Sequence, residues 1–201
     1  MERDQLFEHL KYGGVFAYPT ETLWGLGADI FNQEAVQKIF ELKGRELSKA
    51  VSVLVKDIEG AKKLAIIDAD LERLMADLWP GPITFVIPAQ STIPPILCPN
   101  GLIGLRCTSD PELAELLQEL PNPIITTSAN RTGEPAAHSS QELRWLGEEV
   151  AIWRAHKVLA PSLGSTVLLV AGQTLRCLRE GDLALSKIVE TAQQYQFELV
   201  D

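Results

Sequence analysis

Three polar clusters in this chain carry residue types suited to holding a polyanionic small molecule, and each adjoins a run that reads as a buried strand. The apolar run Gly14–Tyr18 leads into Pro19-Thr20-Glu21-Thr22-Leu23-Trp24-Gly25-Leu26-Gly27. Lys43-Gly44-Arg45, with Lys49 close behind, precedes Ala50–Val55, and Pro123–Thr127 runs into Ser128-Ala129-Asn130. Arginine offers a two-pronged fork to phosphate or carboxylate, and lysine a movable point charge. Serine, threonine and asparagine supply the short donors and acceptors that orient such a group. Together they point to a binding site for an anionic ligand.

Each cluster also has a plainer reading. Lys43 near a helix C-terminus is favoured by the helix dipole. A lone Ser-x-Asn is ordinarily a turn or a cap. Thr20-Glu21-Thr22 reads as a tight turn, with Gly25 and Gly27 able to let backbone approach a ligand. Against the plain reading stands geometry: an extended Lys43-x-Arg45 turns both cationic heads to one side, and Ser128 and Asn130 share that spacing. Arg106, ending the apolar Gly104-Leu105-Arg106, either snorkels or points into a cleft. Gly164-Ser165-Thr166 and Leu178-Arg179-Glu180-Gly181 each add a polar group at a hairpin terminus. Glu21 reads as support for its loop rather than as a base. There is no Ser-His-Asp pattern, no Walker loop and no GxGxxG, so the residues alone stop short of a reaction.

The elements able to position these groups follow from apolar periodicity. Helices are expected over Asp4–Tyr12, over Gln33–Leu42 behind an Asn32 cap, and from Asp68 through Leu78. Two more are expected from Ser109-Asp110-Pro111 to Leu120 and over Leu185–Gln194. Strands are expected at Gly14–Tyr18, Ala50–Val55, Ile83–Pro88, Leu102–Cys107 and Pro123–Thr127. A hairpin joins Thr166–Val170 to Thr174–Leu178 through Ala171-Gly172-Gln173. This alternation predicts an α/β fold: a single domain over residues 1–201, with a twisted mixed sheet, helices packed on it and a ligand cleft at strand ends.

Composition narrows the function classes. The 201 residues are 46% apolar and 22% charged, ordinary for a globular chain able to bury a core without staples. Cys98, Cys107 and Cys177 are odd in number and widely spaced, and His9, His138 and His156 give no metal-binding spacing, so buried thiols and no zinc site are expected. A net charge of −9 argues against a general nucleic-acid binder. The charged start Met1-Glu2-Arg3-Asp4 and the lack of a long apolar run predict a cytoplasmic protein without membrane association.

In this order, the motifs resemble the YrdC-like family of L-threonylcarbamoyladenylate synthases, in its short form, over about residues 13–181. The resemblance is carried by Pro19-Thr20-Glu21-Thr22-x-x-Gly25-Leu26-Gly27, Lys43-Gly44-Arg45, Trp79-Pro80-Gly81-Pro82-Ile83-Thr84-Phe85, Ser128-Ala129-Asn130, Ser165-Thr166-Val167 and Arg179-Glu180-Gly181. It implies an enzyme, a nucleotidyltransferase that converts L-threonine, bicarbonate or CO2, and ATP into threonylcarbamoyl-AMP and pyrophosphate. Partner transferase proteins would then modify adenosine 37 of tRNAs reading codons that begin with A, with at most a weak direct tRNA contact by this chain. By the same resemblance Thr22, Arg106, Ser128 and Ser165 would hold threonine. Lys43, Arg45, Lys49, Asn130, His138 and Arg179 would hold ATP, with Lys43, Arg45 and Lys49 nearest the chemistry. Mg2+ would arrive with the nucleotide and not on protein side chains. Ala50, Leu54 and His138 depart from residues common in the family. The competing readings are a paralogue of the same fold acting on another carbamoyl substrate, and a non-enzymatic RNA-binding module.

Overall fold

The computed structural model describes residues 1–46 and 51–200. Among them, ten strands form one mixed sheet. In chain order these are β1 (Val15–Pro19), β2 (Trp24–Gly27), β3 (Ser52–Leu54), β4 (Ile83–Pro88), β5 (Leu102–Arg106), β6 (Ile124–Ser128), β7 (Val150–Ile152), β8 (Thr166–Ala171), β9 (Thr174–Arg179) and β10 (Glu198–Val200). Their spatial order is β10-β9-β8-β4-β5-β3-β6-β2-β1-β7. Four parallel pairs (β1/β7, β3/β5, β4/β8, β9/β10) stand among five antiparallel ones, so the sheet is mixed as expected.

Among the described residues six α-helices accompany the sheet: α1 (Arg3–Lys11), α2 (Gln33–Lys43), α3 (Ile58–Lys62), α4 (Ala69–Leu78), α5 (Pro111–Glu119) and α6 (Leu185–Gln193). The caps read from sequence are in place. Asn32, Asp68 and Asp110 each accept a hydrogen bond from the backbone N–H three residues on, satisfying one otherwise orphaned donor.

Alternation along the strands explains how the helices divide. Val53, Phe85, Leu105 and Ile125 join a large apolar cluster with Val36, Ile39 and Phe40 of α2, Leu71, Leu74 and Met75 of α4 and Ile188 of α6. Phe16, Tyr18, Leu54 and Ile124 join a smaller cluster with Leu6 and Leu10 of α1 and Leu113, Leu116 and Leu117 of α5. On this second face the apolar positions give way to Ser52, Thr84, Gly104 and Thr126, two residues from apolar neighbours on their strands. The polar part of that face is where the site lies.

Sequence reading missed β2, β7, β10 and α3. All four are short, three to five residues, and three of them carry little apolar periodicity. The stretch after Pro19 proved to be a hairpin, with Tyr18 opposite Gly25 and Phe16 opposite Gly27. A Cβ on Gly25 would stand 3.1 Å from the Tyr18 ring, and one on Gly27 2.7 Å from the rings of Phe16 and Tyr18. The glycines therefore make room for the aromatic rings of the partner strand. The strand expected at Ala50–Val55 is Ser52–Leu54, and Ala50 lies outside the described residues.

Candidate active site

A cavity of about 300 Å3 runs from the strand ends onto the polar sheet face. Its walls come from seven adjacent strands, β9, β8, β4, β5, β3, β6 and β2, with their flanking residues, and from the turn between β1 and β2. Of the residues singled out from sequence, Thr22, Arg45, Arg106, Ser128, Ser165 and Arg179 line it. They derive from segments up to 157 positions apart (179 − 22) and meet only through the sheet order. The lining contains three arginines and no carboxylate.

Arg106 ends β5 and is only 6% exposed. Its Nη2 donates to Glu21 Oε1 at 2.8 Å and to Thr22 Oγ1 at 3.0 Å. Thr108 Oγ1 donates to the other Glu21 oxygen at 2.6 Å. Burial works to raise the Glu21 pKa, but the Arg106 charge and the hydrogen bonds from Thr108 and Arg106 outweigh it and hold the carboxyl below its ordinary value. Glu21 is therefore an ionised partner that orients Arg106. The guanidinium Nε is buried with no hydrogen-bond partner. A buried donor left unpaired costs free energy, and the Nε of Arg154 is left in the same state.

The turn carrying Thr22 is held from within. Thr20 Oγ1 donates to Leu23 O at 2.8 Å and accepts from the backbone N–H groups of Thr22 and Leu23, each at 3.1 Å. At the other wall, Arg179 donates through Nη2 to Ser165 O at 2.7 Å and to Ser165 Oγ at 3.1 Å. Ser165 Oγ also shares a proton with Thr84 Oγ1 at 3.0 Å. Burial, then the charge of Arg106, lowers the Arg179 pKa; at its high intrinsic value the group stays charged. Two like charges held in one cavity attract an anion between them.

Lys43 and Arg45 are arranged otherwise than an extended Lys-x-Arg would place them. Lys43 closes α2, and Gly44 adopts the left-handed conformation (φ 58°) that ends the helix, so the two heads diverge. Lys43 Nζ donates to Ser128 O, to Asn130 O at 2.8 Å and to Asn130 Oδ1 at 3.1 Å. With no carboxylate among these partners, burial, helped by the Arg45 charge, pushes its pKa down to about 8. Arg45 lines the cavity; Lys43, Asn130 and His138 do not. His138 is bound through its backbone, its carbonyl accepting from Leu159 N at 2.8 Å, and its Nδ1 is buried without a partner. Lys49 lies outside the described residues.

Several polar members of the site escaped the sequence reading. Thr84 and Ser52 are single hydroxyls in apolar strands, and Thr84 stands opposite Arg106 in the β4/β5 register. A hydroxyl interrupting an otherwise buried run was the available signal. Tyr18 donates to Thr126 Oγ1 at 2.8 Å, and burial raises its pKa above the ordinary phenol value, so it is a neutral donor fixing that threonine. Among the described residues, no group of three His, Cys, Asp or Glu is placed to hold a metal. Cys98, Cys107 and Cys177 are free thiols.

The fold and the site define an α/β protein with a cationic, hydroxyl-lined cavity on one face of its sheet. Residues 8–181 match the model of the Sua5/YciO/YrdC family, described as "Telomere recombination", and the chain belongs to that family. A threonylcarbamoyl-AMP synthase of Pseudomonas paraeruginosa (strain DSM 24068 / PA7) is 40% identical over 133 residues, 65% of this chain and 71% of that one. Sua5 of P. abyssi, solved in complex with L-threonine, superposes with a TM-score of 0.85 at 28% identity, over 98% of this chain and 58% of that one. E. coli YciO superposes with a TM-score of 0.82 at 25% identity, covering 92% of both chains.

Proposed function

We propose that this chain is an L-threonylcarbamoyladenylate synthase, forming threonylcarbamoyl-AMP and pyrophosphate from L-threonine, bicarbonate or CO2, and ATP. The observation that carries the reading is the charge balance of the cavity. Three arginines line it, and Glu21, the carboxylate that Arg106 engages, stands behind Arg106 rather than in the lining. An amino-acid carboxylate and a triphosphate together would neutralise that surplus. The names of the relatives supply the chemistry.

In this reading the threonine amine attacks the carbon of CO2, losing a proton, to give a carbamate; starting from bicarbonate, a carbon–oxygen bond also breaks and water leaves. A carbamate oxygen then attacks the α-phosphorus of ATP as the bond to pyrophosphate breaks. All the reactants but CO2 carry negative charge, so catalysis consists of positioning them and neutralising charge. Arg106 takes the threonine carboxylate through the edge that Glu21 and Thr22 leave open. Thr22, Ser128 and Ser165 surround the amino acid, while Arg45 and Arg179 face the phosphates. Lys49 and His138 are assigned to the nucleotide by family resemblance alone. Mg2+ enters on the ATP phosphates; the lining offers it no carboxylate, and no step is assigned to a metal held by the chain.

The product then passes to transferase proteins acting on adenosine 37 of tRNA. The reading takes residues 1–201 as one YrdC-like domain working in the cytoplasm, in keeping with three unpaired thiols and with no helix, among the described residues, long and apolar enough to cross a membrane. The test is pyrophosphate release from ATP with L-threonine and bicarbonate omitted in turn. Release that requires both supports the synthase. Release that ignores threonine, or none from protein that binds ATP, would favour the paralogue acting on another carbamoyl substrate.

A further inference from the structure

The ammonium group of Lys43 has three N–H donors, and the structure directs them at three protein oxygens: Ser128 O, Asn130 O and Asn130 Oδ1. Asn130 is equally committed. Its Oδ1 accepts from Lys43 and from Ser128 Oγ at 2.6 Å, and its Nδ2 donates to Arg131 O at 3.0 Å and Glu134 O at 2.6 Å. An amide can make two bonds at each end, so this side chain is saturated. The backbone repeats the connection, since Thr132 N donates to Lys43 O at 2.9 Å. Lys43 is 3% exposed and outside the cavity lining, whereas Ser128, within the network, and Arg45, two residues along the chain from Lys43, line the cavity.

We infer that Lys43 and Asn130 are positioning residues, which clamp the Ser128 turn to the end of α2 and so set the Ser128 hydroxyl and the Arg45 segment relative to each other, without contacting the phosphates of the nucleotide. The inference deepens the synthase reading and rests on it for the identity of the ligand at Ser128. It also fixes a polarity. Because Oδ1 can only accept, the Ser128 proton is committed to Asn130, and the hydroxyl presents lone pairs to the cavity. The substrate group that meets it must carry N–H or O–H, which threonine has in its amine and its hydroxyl and a deprotonated phosphate lacks.

The test combines hydrogen–deuterium exchange of residues 128–137 with separate KM values for L-threonine and ATP, in wild type, Lys43→Met and Arg45→Met. Losing the charged clamp is expected to speed exchange in the loop, Thr132 included, and to raise KM for threonine, each by about tenfold, with KM for ATP changing less than about twofold. Arg45→Met is expected to leave loop exchange at the wild-type rate and to weaken use of ATP. Unchanged loop exchange in Lys43→Met, or a rise confined to KM for ATP, would overturn the inference. If Lys43→Met does not fold, Asn130→Leu replaces it, with the same expected gain in exchange and the same contrary result. Should wild type release no pyrophosphate, the synthase reading falls, while the exchange comparison still decides the clamp.

Discussion

Two buried arginines in this molecule are paired to carboxylates in nearly the same way, yet only one of them lines the cationic cavity. Arg106 meets Glu21 at 2.8 Å and Arg154 meets Asp110 at 2.7 Å, with both guanidinium side chains less than a tenth exposed. Arg154 has a second carboxylate, Glu112 at 2.6 Å, and its guanidinium lies 5.2 Å from the centre of the Trp153 ring. One cation there faces two anions. Arg106 has a single carboxylate, already shared with Thr108, and opens on a cavity that Arg45 and Arg179 also enter. A buried ion pair is therefore no mark of function by itself. One beside open space, in a cavity that two further arginines line, marks a candidate site.

Arg106→Ala breaks this comparison most severely. It removes the carboxylate fork and strands Glu21, so kcat/KM for threonine should fall by roughly a hundredfold or more, as loss of about 3 kcal/mol implies. Binding of ATP alone, measured by calorimetry, should persist. Arg154→Ala should cost a similar amount, about 3 kcal/mol, but in folding stability read by urea unfolding, with the activity per folded molecule unchanged. If Arg154→Ala abolished turnover in folded protein, the two pairs would not differ as described. Arg45→Ala should lower kcat by about tenfold to a hundredfold through lost stabilisation of charge at the α-phosphate; near-normal kcat would remove Arg45 from that role.

The smallest effect concerns Lys43, the third buried cation, which is held by carbonyl dipoles instead of a carboxylate. With its pKa pushed down to about 8 by burial and by the Arg45 charge, the clamp is fully charged only below that pH. In free enzyme, kcat/KM should fall by roughly half as pH rises through 8, with Arg45 charged throughout. Stability should move the other way. The unfolded chain holds this proton up to the ordinary lysine pKa while the folded chain has released it, so between those two values stability rises with pH. Lys43→Met should remove both slopes.

Much of the site was legible because its chemistry sits where strands end. Arg106 closes an apolar run, Ser128 follows one, and Ser165 precedes one, so residue type and periodicity together marked them. The sheet that brings them together was legible in outline, through seven of its strands and five of its helices. What the sequence could not show was pairing across distance. Glu21 meets Arg106 from 85 positions away, and Lys43 reaches Ser128 across the same separation. The extended Lys43-x-Arg45 geometry failed for a local reason: Gly44 takes a left-handed conformation and splits the two cations between clamp and cavity. Thr84 was hidden by its apolar neighbours. Gly25 lines the cavity as expected, while the room that Gly25 and Gly27 leave for aromatic rings of the partner strand could not be read from one segment.

The most direct test of the unbalanced-charge account is calorimetric titration of wild-type protein with L-threonine and, in parallel, with L-threoninamide, which keeps the amine and the hydroxyl but has no carboxylate. The account predicts saturable binding of threonine and affinity for the amide lower by at least about tenfold, a charge-assisted hydrogen bond being lost. Equal affinities for the two would contradict it, since the surplus positive charge at Arg106 would then play no part in holding the amino acid.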